Sequence, residues 1–255
     1  MPAASQPAPL ARTSAPSQVA AVVRRNLREC AVNPTISVWG SLTILMGPLF
    51  WFLLDEGSDT TIFVVSIALF STVAMMSTLP VFVMAEDWEH GAVLPILRSG
   101  VSPAALAAGH GLSALLYCAE GCTLSYLALS LATDAFPLSK LPLFLLAFAS
   151  FAVFCCLVSL AAALVTRRQR DVYGNETPVL VFYLSGMVQP LFPEFAGVMQ
   201  YLPTSLPCQL LSVGLTGTEP LMDWGTITVS ALVWTVAAAV AVAVTFRRYR
   251  QDLRW

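Results

Sequence analysis

At least five stretches of this chain stay apolar for close to the length of a membrane crossing. A helix needs roughly 20 residues to cross the hydrocarbon core of a bilayer. The rest of the composition agrees. Of 255 residues, 57% are hydrophobic and 11% are charged, against about 25% charged in a soluble domain. The expected class is therefore an all-α membrane protein. The net charge of -2 says little about partners, whereas the placement of charge says much more.

Residues 1–16 are rich in Pro, Ala and Ser and read as a disordered tail. No secretory signal peptide is expected, because the first apolar run begins near Thr35. Ser17 can cap a helix in which Val19, Val23, Leu27 and Cys30 recur at helical spacing, with Arg24, Arg25 and Arg28 between them. Residues 17–33 thus read as an amphipathic basic helix suited to a membrane interface; an ordinary cytosolic helix is the plainer alternative. Asn33-Pro34 breaks it.

Six spans are predicted over 34–246: about 35–54, 61–84, 104–131, 141–165, 177–192 and 225–246. Ser102-Pro103 reads as the start of the third, with Pro in the first turn. Between the fifth and sixth, Pro193, Pro203, Pro207 and Pro220 interrupt a half-apolar segment. It cannot be one straight span, and two short re-entrant helices fit if protein or water satisfies their backbone. A basic tail, 247–255, follows the last span. With six spans both termini share one side, and twelve of the thirteen Lys and Arg fall there, leaving only Lys140 opposite. Basic residues mark the cytoplasmic side, so both termini are expected to be cytoplasmic.

Catalytic chemistry is hard to find. The one lysine, Lys140, has no P-loop around it, and no zinc-protease pair of histidines exists, since His90 and His110 are the only two. The six cysteines form no CxxC pair and read as small apolar fillers, with Cys208 the one placed to face outside. Glu120 lies near mid-membrane, where a charge costs about 2.5–3.5 kcal/mol on insertion scales. Ser113 and Thr123 share roughly its helical face, which suggests a polar seam. Either a pathway residue or a protonated structural glutamate accounts for it. Ser66, Ser71, Thr72, Ser77, Thr78, Tyr183, Ser185 and Gln189 could line a mildly polar path, or simply bond across helices.

Between the second and third spans lies Met84–Ser102, the one charged stretch that looks like a folded element. Glu86, Asp87, Glu89 and His90 crowd its start around Trp88, and Gly91 and Gly100 bracket a short apolar piece. With the basic helix before the first span and the Pro-broken segment after the fifth, the chain resembles the permease subunits of type-two ATP-binding-cassette transporters, mostly exporters. That family carries roughly Glu-x-Gly-Thr, a few apolar residues, then Thr-Pro-Val-Ser at this place. Here the stretch stands as Glu89-His90-Gly91-Ala92, Val93 to Arg98, then Ser99-Gly100-Val101-Ser102. Ala92 and Gly100 depart from the pattern, and Pro95 sits within the short helix.

The resemblance covers about residues 18–250 and implies a mechanism. Two permeases pair, as homodimer or heterodimer, in a bacterial inner membrane. Each holds a separate ATPase subunit that uses ATP and Mg; this chain binds no cofactor, contacts no nucleic acid and is not itself an enzyme. The short cytoplasmic helix would seat in that ATPase and couple it to the spans, through Glu86, Asp87, Trp88, Glu89, His90, Gly91, Val93, Leu94 and Leu97. Negative charge near a helix N-terminus is favoured, and tryptophan is a common interface anchor. Glu120, Tyr183 and Gln189 are the pathway candidates. A membrane scaffold that binds partners and moves nothing is the alternative from another class.

Overall fold

The structure, a computed structural model, describes residues 14–53, 73, 76–78, 82–166, 168, 171, 193–217 and 219–253. The described residues are all-helical, with no strand among them. Three of the helices, spanning Pro103–Ala132, Leu138–Val165 and Trp224–Gln251, are long and apolar enough to cross a membrane. Most of the predicted second span and all of the fifth lie outside the described residues, and with them Ser66, Ser71, Thr72, Tyr183, Ser185 and Gln189.

Helix α1 runs Ala15–Val32 and α2 runs Pro34–Leu53. They are separated at Asn33, since the proline that follows disfavours the α conformation there. Residues 82–89 form α3, Val93–Arg98 α4 and Pro103–Ala132 α5. Ser102 caps α5, its Oγ accepting from the Ala105 amide at 3.1 Å. A 3₁₀ turn, Leu138–Lys140, leads into α6, Leu141–Val165. The Pro-rich segment folds as a 3₁₀ turn at Pro193–Phe195, a single turn α7 at Ala196–Met199 and a longer α8 at Ser205–Thr216. Helix α9, Trp224–Asp252, completes the described chain.

The long helices define two ends. α5 leaves one end and α6 returns to it, with Tyr126 against Phe144 (ring centroids 4.6 Å apart) near the far end. α9 runs alongside α6 in the same direction: Phe154 meets Trp234 at 6.4 Å, and Leu164 shares a buried cluster with Tyr249. Arg24, Arg25, Arg28, Arg98, Arg168, Arg247, Arg248 and Arg250 therefore gather at one end and Lys140 stands at the other. We call the first the basic end.

At the opposite end, Gln209 of α8 clamps the backbone of Met222, accepting from its amide at 2.8 Å and donating to its carbonyl at 2.9 Å. Trp234 Nε1 donates to the Tyr201 carbonyl at 2.8 Å. The irregular backbone is thus partly satisfied by side chains. All six cysteines are free and buried, Cys208 included.

One repair inside the bundle is specific. Pro48 sits within α2 and has no amide hydrogen, so the Ile44 carbonyl four residues earlier loses its intrahelical donor. Ser125 of α5 supplies one: its Oγ donates to Ile44 O at 2.8 Å. Helix α1 also approaches α5 closely. A Cβ built at Gly109 would lie 2.4 Å from Val22 Cγ1, so only glycine admits Val22 at this distance.

Candidate functional site

Helix α3 ends at a turn that explains its glycine, and Glu86, Asp87 and Glu89 lie in its last turn, not near a helix N-terminus as expected. Gly91 N–H donates to the Trp88 carbonyl at 3.1 Å and Ala92 N–H donates to the Asp87 carbonyl at 2.7 Å. These are the two bonds of a Schellman motif, which requires a left-handed residue; Gly91 provides it at φ 69°. Nothing in the chain lies within 4 Å of where a Gly91 Cβ would be, so the glycine serves the turn and not a close approach within the chain. Pro95 falls in the first turn of α4, where an amide has no intrahelical acceptor, so it costs that helix no hydrogen bond. A second left-handed glycine, Gly100 at φ 97°, closes the stretch.

The base of this hairpin of helices is fixed. Asp87 is only 6% exposed. Its carboxylate takes both arms of the Arg25 guanidinium: Nη1 donates to Oδ2 at 2.7 Å and Nη2 to Oδ1. The hydrogen bonds from Arg25 to Asp87 hold the guanidinium pKa above its ordinary value, against the opposing effect of partial burial. Trp88 is half-buried and engaged within the chain. Its ring meets Tyr249 of α9 edge-on at 5.8 Å and packs with Val22 and Val93. Val93 is buried and Leu97 half-buried. Glu86 is half-buried as well.

The tip is exposed. Glu89, His90, Gly91, Leu94, Pro95 and Arg98 face outward, Leu94 with 49% of its surface open. Apart from the half-buried Glu86, the predicted coupling residues therefore divide into two sets. Asp87, Trp88, Val93 and Leu97 hold the stretch to the bundle, while Glu89, His90, Gly91 and Leu94 form its outer surface.

Three polar contacts bind α1 to this region, from one face of the helix. Gln18 Oε1 accepts from the Ser102 amide at 3.0 Å. Arg25 holds Asp87. Asn26, fully buried, places Nδ2 3.0 Å from His110 Nδ1 and donates to Ser113 Oγ at 3.2 Å. Ser113 in turn donates to the Gly109 carbonyl at 2.7 Å. These partners advance along α1 and α5 together, so α1 climbs beside the first turns of α5 in the same direction.

Its buried face is Val22, Asn26 and Cys30. Of the Val19, Val23, Leu27 and Cys30 stripe read from the sequence, Cys30 is buried and the other three are only half-buried. The signal for Asn26 was available: it stands four residues from Val22 and from Cys30.

Glu120 is exposed near the middle of α5, whereas Ser113 is buried against Asn26 and Thr123 donates to its own Ala119 carbonyl at 2.6 Å. The three are not brought into one seam. Ser77 and Ser159 approach across helices at 3.3 Å, and Thr78 is buried. Among the described residues no group of His, Cys, Asp and Glu is arranged to hold a metal. No family model matches the chain, and no curated protein matches it either.

Proposed function

We propose that this chain is the membrane subunit of an ATP-driven exporter, paired with a second permease and coupled to a separate ATPase through α3 and α4. One observation carries the reading. Between the basic end of the bundle and α5, a short helical hairpin presents an exposed tip on a braced base. A lever needs both properties. The outer surface must be open for a partner, and the inner part must be fastened to the helices that move. Asp87 to Arg25 and Trp88 to Tyr249 supply the fastening. Glu89, Leu94 and Arg98 supply the open surface.

On this reading the basic end is cytoplasmic, in keeping with the bias of Arg and Lys, and the host is a bacterial inner membrane. Glu120 supports pairing. An exposed carboxyl at the middle of a spanning helix is costly against lipid, and a second permease covering that face would remove the cost.

The test uses the tagged chain as bait from a detergent extract, with the eluate assayed for ATP hydrolysis. A stoichiometric ATPase should elute with the wild type and be lost with Glu89→Lys. The variant should leave the chain itself inserted and helical, because Glu89 is exposed. Elution without any ATPase would replace the transporter reading with that of a scaffold.

A further inference from the structure

Helix α1 has two apolar faces, and among the described residues one is buried while the other is only half-buried. Val22 and its neighbours at helical spacing are buried against α5. Val19, Val23 and Leu27, also at four-residue spacing, instead wall an open groove of about 750 Å³ whose far side is Leu112 of α5. Arg24 stands at its rim. Leu112 lies nine residues into α5, about 14 Å along the helix at 1.5 Å per residue, so the groove leads from the basic end toward membrane depth.

The charges sort just as sharply. Of the three arginines of α1, Arg25 turns inward to Asp87, while Arg24 and Arg28 stay exposed. Their spacing of four makes them neighbours on the helix surface. The acidic groups nearest in sequence or space are Glu29, exposed on α1, Glu86, half-buried on α3, and Asp87, already occupied by Arg25.

We infer that this groove is a binding site for an anionic phospholipid, with an acyl chain against Val19, Val23, Leu27 and Leu112 and the headgroup phosphate on Arg24 and Arg28. The occupant follows from the two chemistries that the groove combines. Its walls favour hydrocarbon and its rim favours an anion. A lipid offers both in one molecule, already oriented, at the end of the bundle where α5 begins and α6 and α9 finish. The site asks only that the chain sit in a bilayer, so it stands whether or not an ATPase binds.

Native mass spectrometry of the full chain, delipidated and then titrated with phosphatidylglycerol or phosphatidylcholine, tests it. Wild type should prefer phosphatidylglycerol by up to about 30-fold, the factor given by two cations worth about 1 kcal/mol each. Arg24→Gln with Arg28→Gln should bring that preference close to parity while retaining helicity, since both side chains are exposed. Val23→Trp, which fills the groove, should weaken both lipids. Glycerol phosphate, the headgroup without its chains, should fail to displace the bound lipid.

Equal retention of the two lipids by wild type would overturn the site, as would an undiminished preference in the double variant. Full binding by Val23→Trp would place the lipid elsewhere. Displacement by glycerol phosphate would make it a plain anion site. Cross-linking of two copies through Leu112 with lipid excluded would give the groove to a second chain instead.

Discussion

Removing the Arg25 guanidinium leaves Asp87, with its side chain 7% exposed, without its cation. Breaking a buried pair costs about 3–5 kcal/mol. Arg25 keeps 34% of its side chain open, so water recovers part of that, and about 2–3 kcal/mol is the expected loss for Arg25→Ala. Arg25→Lys should fall between, because lysine keeps the charge but not the two-armed geometry. The exchange of both partners, Arg25→Asp with Asp87→Arg, should recover part of the loss. Thermal unfolding of the detergent-solubilised chain measures all three; equal melting of Arg25→Ala and wild type would show the pair to be dispensable. None of this was legible from composition. Both residues were visible as charges, but their partnership joins positions 62 apart, and a sequence pattern reports only neighbours. Gly91 is an intermediate case: the glycine stands out in the sequence, where it reads as a point of close backbone approach, yet what requires it is a local left-handed turn.

At the scale of the element, the pairing of Pro48 with Ser125 makes a quantitative test. The Ser125 hydroxyl replaces an amide that the proline lacks, inside a bundle where water is scarce. Ser125→Ala should therefore destabilise by about 1–2 kcal/mol. In a Pro48→Ala background, where residue 48 donates its own amide, the same change should cost distinctly less. A double-mutant cycle on thermal stability gives the coupling, and strictly additive losses would remove the proposed repair. Although α1 starts at Ala15, two residues before the expected cap Ser17 and inside the expected tail, two other element boundaries followed directly from the sequence, because caps and prolines act over a few residues: Ser102-Pro103 opens α5 and Asn33-Pro34 separates α1 from α2. The course of α1 did not. Its apolar period specifies a helix with an apolar side, yet two apolar stripes lie next to each other, and Gly109 decides which one is buried by letting Val22 come close.

For the molecule as a whole, the bias of basic residues and the three long apolar helices were legible in the sequence, because bilayer length and charge are averaged over many residues. Association between copies is not so averaged and rests on single exposed positions. If two permeases pair over α5, Glu120→Cys should cross-link between copies in native membranes, and a cysteine placed at Leu138, exposed at the opposite end, should not. Absence of the Glu120 cross-link would remove this face from the pairing.

The brace between Arg25 and Asp87 also has a history within each molecule. The chain emerges from the ribosome N-terminus first, at about 5–20 residues per second. Asp87 therefore follows Arg25 by about 3–12 s, given their 62-residue separation. During that interval Arg25 has yet to meet Asp87 and stands beside Arg24 and Arg28; on the proposed reading, with the basic end cytoplasmic, all three would favour retention of the leading segment on the side where it was made. Once α3 arrives, Arg25 is withdrawn into the bundle. On that reading the same charge would help first to set the topology of the nascent protein and afterwards to hold its mature architecture.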